Sequence, residues 1–367
     1  MKKSIFAVAV ASALTLGAAQ AETVLYGSIR YDYQNTKSET KVDGKKVGES
    51  HRLSNLADAG SRIGLKGSED LGNGNAVIYN LEWGFDGMQN GGVDAKEGFT
   101  NRKAYLGLTG NWGTFTAGRQ DNPFKVTIVD DSVTDDFNGS DIKSSAAQRA
   151  MTSALTAASP AVNTATDAGL SRVGKVIAYT TPDFAGFSAN VALMMDKNLY
   201  AKNEEKNIDL WTINAKYAYE LAGGELLVKA GYITGKVADT AVANKKAANV
   251  WGLMAAYRQD AFAVSAAYAD GTHKNEGNIA KEKSKGFDLG ASYSFGANHF
   301  STVRVAYGEN TLKQAGNKEK VKSWAVGFEQ KLSTRTRAWI EYGNEQSKYE
   351  NSKVKNDVIS IGMRHDF

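Results

Sequence analysis

Apolar and polar residues alternate with a period of two along most of this chain, as in strands that divide two environments between their faces. In 61–67, Arg62, Gly64 and Lys66 share one face while Ile63 and Leu65 share the other. Near the end, Ile359, Ile361, Met363, His365 and Phe367 fall on one face, opposite Ser360, Gly362, Arg364 and Asp366. The pattern predicts sixteen strands, at 23–34, 59–69, 75–86, 99–110, 113–120, 172–181, 187–196, 208–220, 224–236, 247–258, 261–270, 285–296, 299–310, 320–332, 335–346 and 354–367. Most run 10–13 residues, enough for a tilted strand to cross a bilayer, whereas soluble sandwiches use strands of about five or six.

The connections sort by length. Seven short turns, among them EDLGNG, LAGG and GAN, alternate with eight long polar segments near 35–58, 87–98, 121–171, 197–207, 237–246, 271–284, 311–319 and 347–353. The short ones carry the Asn/Gly/Asp chemistry of tight hairpins. This is the plan of an up-and-down barrel with its turns on one membrane side and its loops on the other. The expected fold is therefore all-β, a 16-stranded antiparallel transmembrane β-barrel, with both termini on the turn side. Trp112, Phe115, Phe184, Phe187, Phe262, Phe295, Phe300, Trp339 and Tyr342 lie near strand ends and are expected in interfacial girdles.

Composition refines this. Residues 1–21 read as a cleaved secretory signal: Lys2 and Lys3, an apolar core from Ile5 to Leu16, and a small-residue site at Ala19-Gln20-Ala21. Residues 22–367 are then one barrel domain. The chain has no cysteine, so disulfide and thiolate chemistry are excluded, and its 37 glycines against 3 prolines suit uninterrupted strands. A formal charge of +4, half of it from Lys2 and Lys3, is too balanced for a nucleic-acid-binding face. No stretch is apolar for long enough to form a transmembrane helix. The mean hydropathy of −0.39 is compatible with a barrel, whose strands alternate.

Five segments carry a family resemblance: TVLYGSIRYDY, GSRIGLKGSEDLGNGNAVIYNLEW, NRKAYLGLTGNWGTFTAGR, YTTPDFAGFSANVALM and the terminal GMRHDF. In order and spacing they resemble the trimeric Gram-negative general porins, especially the neisserial and betaproteobacterial branch. The resemblance implies an outer-membrane homotrimer, in contact with outer-membrane lipid, that passes ions and small hydrophilic solutes by diffusion. It also implies a third long loop, 121–171, folded into the lumen as a constriction. Its acidic side would be Asp130, Asp131, Asp135 and Asp136, with Asp141 further along. The facing basic wall would be Arg62, Lys66, Arg102, Arg119 and Arg172. The family often has an arginine where this chain has Ala178. Phe367 resembles the terminal membrane-assembly signal, although His365 departs from the aromatic usual at its place.

No enzyme, cofactor or metal chemistry is expected. His51, His273, His299 and His365 lack metal-ligand spacing. The segment 136–139 echoes a calcium loop, but Thr134 stands at its first position and no bidentate glutamate follows. Three rival readings remain: a substrate-selective channel, a barrel enzyme of the outer membrane, and a soluble adhesin. Alternation and loop sorting place 121–171 on the side opposite the termini. Its inward course rests on the resemblance alone, and ion preference stays open.

Overall fold

A strand in hydrocarbon has no water for its backbone groups, so it must pair on both edges. The computed structural model describes residues 22–50, 52–88, 98–139, 142, 144–156, 170–195, 208, 210–238, 245–274, 282–314 and 316–367. The signal reading of 1–21 and the positions Asp141 and His51 lie outside them. Here β1 is Glu22–Val42, β2 the two collinear pieces Arg52–Asp58 and Arg62–Gly72, β3 Asn75–Phe85, β4 Phe99–Gly110 and β5 Gly113–Asp121. After the third loop come β6 Arg172–Thr180, β7 Phe187–Met194, β8 Leu210–Leu221, β9 Gly224–Ala238, β10 Lys245–Gln259 and β11 Phe262–Lys274. The last five are β12 Glu282–Phe295, β13 Ser301–Gln314, β14 Asn317–Lys331, β15 Thr336–Tyr349 and β16 Ser352–Asp366.

The sheet contains 18 hydrogen-bonded segments. They make sixteen wall strands, because β2 is counted in two pieces and Lys45–Val47 only folds back on the tip of β1. Neighbours pair antiparallel in chain order, and β1 meets β16 from Ser28↔Asp366 to Val42↔Ser352 to close the ring. Gly27 and Phe367 exchange both backbone bonds at the seam, each 3.1 Å long. In the GNG turn, Asn73 and Gly74 have φ of +54° and +74°, as a two-residue hairpin turn requires.

Several strands run past the membrane band. Segments expected as loop at 35–42, 311–314, 317–319 and 347–349 continue the ladder, so the connections β13–β14 and β15–β16 are tight hairpins. Polar side chains can pair across a ladder in water as well as a loop can, so composition alone does not mark the strand end.

The outward faces carry exposed apolar residues: Leu25, Ile29 and Tyr33 on β1, Trp211 and Ile213 on β8, Ile340 on β15, Ile361 and Met363 on β16. Trp112, Phe115, Phe184, Phe187, Phe262 and Phe295 stand on this exposed surface, as expected of girdles. Trp339 does not. It shares parity with Glu341, is 3% exposed, and its Nε1 donates to Ser360 Oγ at 2.9 Å inside the barrel.

The apolar core lies within the barrel, between the wall and the third loop. Phe124, Ile128, Met151, Leu155 and Leu170 of the loop pack on inward residues of β6–β11 such as Val176, Met194, Leu227, Ile233, Val250 and Met254. Where loop backbone presses hardest on the wall the strand has glycine: a Cβ on Gly286 would meet the Ala146 carbonyl, and one on Gly343 the Ile142 carbonyl. Gly286→Val should therefore dislodge the loop while leaving the barrel closed. Limited proteolysis of the detergent-solubilised protein should show faster cleavage between 121 and 171 with unchanged far-UV circular dichroism.

Candidate functional site

The third loop leaves β5 through Asn122, whose Oδ1 accepts from Phe124 N at 3.0 Å and caps α1, Pro123–Ile128. Pro123 at the first helical position has no N–H to leave unpaired. The far end of α1 is held by the wall. Lys229 Nζ from β9 donates to the carbonyls of Val126 (3.0 Å) and Asp130 (2.7 Å), a cation at a helix C-terminus. A 3-10 turn follows at Val133–Asp136, with Val133 N bonded to Ser265 Oγ of β11 at 2.8 Å.

The loop then reaches β14 and β15. Glu341 accepts Asn138 N (3.0 Å) and Gly139 N (2.8 Å), and Asn138 Nδ2 donates to Glu329 at 2.8 Å. Arg304 of β13 bridges these carboxylates, its Nη2 3.2 Å from Glu329 and its Nη1 3.3 Å from Glu341, all three buried. From there the chain turns back as α2, Ala146–Thr156. Asp288 of β12 caps it, accepting from Ser145 Oγ, Ala146 N and Ala147 N at 2.7–3.0 Å. Arg149 pairs with Glu345, and His273 Nδ1 meets the Ala154 carbonyl at 2.8 Å. The Ala/Ser/Thr-rich half of the loop is thus, over 146–156, a helix seated on the wall. It is long enough to need caps at both ends, and the wall supplies them.

The loop acids are mostly tied. Asp130 pairs with Lys125 at 2.5 Å, Asp131 with the buried Lys229 at 2.7 Å, and Asp136 with Arg258 at 3.3 Å. Asp135 has no ion pair within 4.0 Å among the described residues and is open to the lumen. Enclosure in the barrel pushes its carboxyl up to about 6, aided by Asp130, Asp136 and Asp131 and opposed by Lys125.

On β1–β4, β15 and β16, inward arginines form a row. Arg30 of β1 lies opposite Arg364 of β16, which lies opposite Arg337 of β15. Arg62 and Arg102 stand within electrostatic reach of Arg30. Arg102 gets there through a β-bulge that sets Glu82 against both Arg102 and Lys103. Its Nε donates to Glu82 at 2.6 Å, and Lys103 Nζ reaches Asp121 at 2.5 Å. Two adjacent basic residues thereby share the lumen side. Arg62 has no carboxylate in ion-pair range among the described residues, whereas Arg364 and Arg337 share Asp366 at 2.6 and 3.6 Å. Lys66 lies inside, its Nζ 5.4 Å from the centre of the Tyr26 ring.

One expected wall residue lies elsewhere, and another stands at the rim. Arg119 is opposite Ala104, whose neighbours Lys103 and Tyr105 face inward, so it takes the outer face and its Nε donates to the Asn101 carbonyl at 3.0 Å. Arg172 sits at the base of the loop, its Nε 3.4 Å from Asp121 Oδ1, as part of a clamp. Ala178 is buried on the inner face, in the apolar cluster that the loop covers. Arg30, Arg337, Arg364 and Lys103 had not been singled out. Arg364 was nonetheless visible in the alternation of the last strand. Among the described residues no group of three or more His, Asp or Glu is placed to hold a metal ion.

A closed barrel, apolar outside and charged within, with a loop lodged against its inner wall, is a membrane diffusion channel. The chain matches the model of the family described as Gram-negative porin over residues 7–350. It is 28% identical over 386 residues to the major outer membrane protein P.IB of Neisseria gonorrhoeae, with all of both chains covered. Its fold superposes on an anion-selective porin from Comamonas acidovorans with a TM-score of 0.71, 20% identity and 95% and 100% of the two chains covered. OmpT of Vibrio cholerae in its trimer form gives 0.62 at 14% identity, with 95% and 99% covered. The chain belongs to the Gram-negative porin family. It is an outer-membrane porin, a water-filled passage for ions and small hydrophilic solutes.

Glu341 is the central tie of the loop. Glu341→Ala strips Arg304 of a buried partner and leaves two loop N–H groups unsatisfied, a loss of about 3–5 kcal/mol for such a pair. The thermal unfolding midpoint should fall. Single-channel records should also gain current noise that wild type lacks.

Proposed function

We propose that this porin prefers anions and that the loop 121–171 forms its constriction, facing the arginine row. The observation that carries the reading is the imbalance of free charge. The row of Arg30, Arg62, Arg102, Arg337 and Arg364 is offset on the wall by Glu82, Asp366 and Glu329, the last shared with Arg304, while three of the four loop acids are tied to Lys125, Lys229 and Arg258. Asp135 alone of those four has no ion pair within 4.0 Å among the described residues. A positive wall in a wet, narrow passage raises the local concentration of anions.

The assembled unit is a homotrimer, as OmpT of Vibrio cholerae is in its trimer form. Residues 1–21 direct export, and Phe367, hydrogen-bonded to Gly27 at the seam, ends the chain as its assembly signal. No covalent step is involved. His273 holds α2, His299 lies in the turn after β12, and His365 meets Thr336 Oγ1 on the outer face, far apart in role and place.

Two measurements test the reading. In planar bilayers under a salt gradient, Arg30→Gln together with Arg62→Gln should move the reversal potential several-fold toward cations. Arg119→Gln, on the outer face, should leave it where it was. An unchanged reversal potential in the double variant would remove the arginine row from the selectivity account. Lowering the pH through about 6 protonates Asp135, so the lumen loses negative charge and anion preference should rise. Asp135→Asn should show the acid-side preference at pH 7 and lose the titration.

A further inference from the structure

An asparagine followed by glycine is the pair in which a chain most readily attacks its own side chain, because glycine has no Cβ to hold the next amide away. Three such pairs occur, at 73–74, 90–91 and 138–139. The first is an exposed hairpin turn and the second lies outside the described residues. Asn138–Gly139 is inside the barrel, where the third loop is fastened to β14 and β15. Packing there demands both residues. A Cβ on Gly139 would strike the side chain of Ser360, which is fully buried and fixed between Asp32 Oδ2 (2.7 Å) and Trp339 Nε1 (2.9 Å). Asn138 Nδ2 donates to Glu329 at 2.8 Å, and a carboxylate at 138 would have no proton to offer there. The fastening is therefore built on a labile pair.

The same contacts hold the reaction back. It begins when the Gly139 amide loses its proton and the nitrogen attacks Cγ of Asn138. The Cγ–Nδ2 bond breaks, ammonia leaves and a cyclic imide closes. Water then opens the imide at either carbonyl and leaves aspartate or isoaspartate. Here the Gly139 N–H donates to the carboxylate of Glu341 at 2.8 Å, and both oxygens of that carboxylate lie 3.0 Å from Asn138 N. An anion bonded to the N–H disfavours loss of its proton. The leaving nitrogen is meanwhile held by Glu329. Reaction waits for the loop to lift, and its rate then follows the lifted fraction.

We propose that Asn138 is a deamidation site shielded by Glu341, and that its conversion releases the third loop for good. The product cannot refasten. A carboxylate at 138 would stand beside those of Glu329 and Glu341, whose shared cation Arg304 is already engaged by both, all three buried. Isoaspartate would also lengthen the backbone and lift Gly139 off Ser360. The loop's other contacts with the wall, through Lys229, Ser265 and Asp288, break and re-form. This one, once hydrolysed, does not.

The test uses the detergent-purified porin in its native assembly, held at mildly alkaline pH, with conversion at each asparagine read by peptide mass spectrometry. Asn138 should convert at least tenfold more slowly than in the free peptide DDFNGSD. Glu341→Ala should raise its rate at least tenfold, while Asn73, in its exposed turn, converts alike in both proteins. Asn138→Asp, made directly, should be cleaved faster between 121 and 171 in limited proteolysis with unchanged far-UV circular dichroism. Its single-channel records should carry noise that wild type lacks. In partly converted wild type, the protease should consume the converted chains first. If Glu341→Ala yields no channels, Glu341→Gln, which keeps an acceptor without the charge, takes its place. Equal rates at Asn138 in wild type and the Glu341 variant overturn the proposal, as does conversion as fast as in the free peptide. So does an Asn138→Asp porin as quiet and as protease-resistant as wild type, which would leave the conversion without effect on the loop.

Discussion

Backbone hydrogen bonding in hydrocarbon is the constraint on which the rest of this porin depends. An open sheet would leave the edges of β1 and β16 unpaired in lipid, so the chain must bring its two ends together. It does so with a continuous ladder from Ser28↔Asp366 upward, completed below by Gly27 and Phe367. Closure fixes the two environments, and those dictate the alternation. Lipid takes Leu25, Ile29, Ile361 and Met363, and the lumen takes Ser28, Arg30, Ser360 and Arg364.

The same constraint reappears inside. A fifty-residue insert brought against the inner wall carries backbone groups that need partners, and the wall supplies them as side chains. Glu341 and Asp288 accept loop N–H groups, Lys229 donates to loop carbonyls, Ser265 receives Val133 N, and His273 meets the end of α2. Charged partners of this kind are stronger than neutral ones. The cost falls on the pore field, since carboxylates engaged in holding the loop no longer act on passing ions. Of Asp130, Asp131, Asp135 and Asp136, Asp135 is the one left without an ion pair among the described residues, which is why the proposed reading gives the field to the arginine row.

Period-two alternation was enough to read all sixteen strands, because a strand between lipid and water has no other way to satisfy both faces. Strand ends were less legible. β13–β16 continue into water, where polar residues pair as readily in a ladder as in a loop. The misplaced side chains each have a local cause. The bulge at Glu82 brings Arg102 and Lys103 to the same side, and strict alternation could not say which of them turned inward. Arg119 belongs to a motif whose family places it in the wall, but here the register against Ala104 turns it outward. Trp339 was assigned by residue type although Glu341 beside it marked its face as inward. The loop's inward course did have a signal. The inner faces of β6–β11 carry Val176, Met194, Leu227, Ile233 and Val250 where a bare wet lumen would ask for polar residues. The cap of α2 could not be read at all, since Ala146 and Asp288 meet only in the folded chain.

Two rows of like charge cross the same part of the barrel, arginines inside and lysines outside, on β1, β15 and β16 in both cases. Each row places neighbouring cations where a sheet resists them, and acids of the wall match each only in part, Glu82, Asp366 and Glu329 inside and Glu39 and Glu309 outside. Such rows persist at low cost only if anions from elsewhere attend them. On the proposed reading the inner row meets them as solutes in transit, which must bind weakly enough to leave.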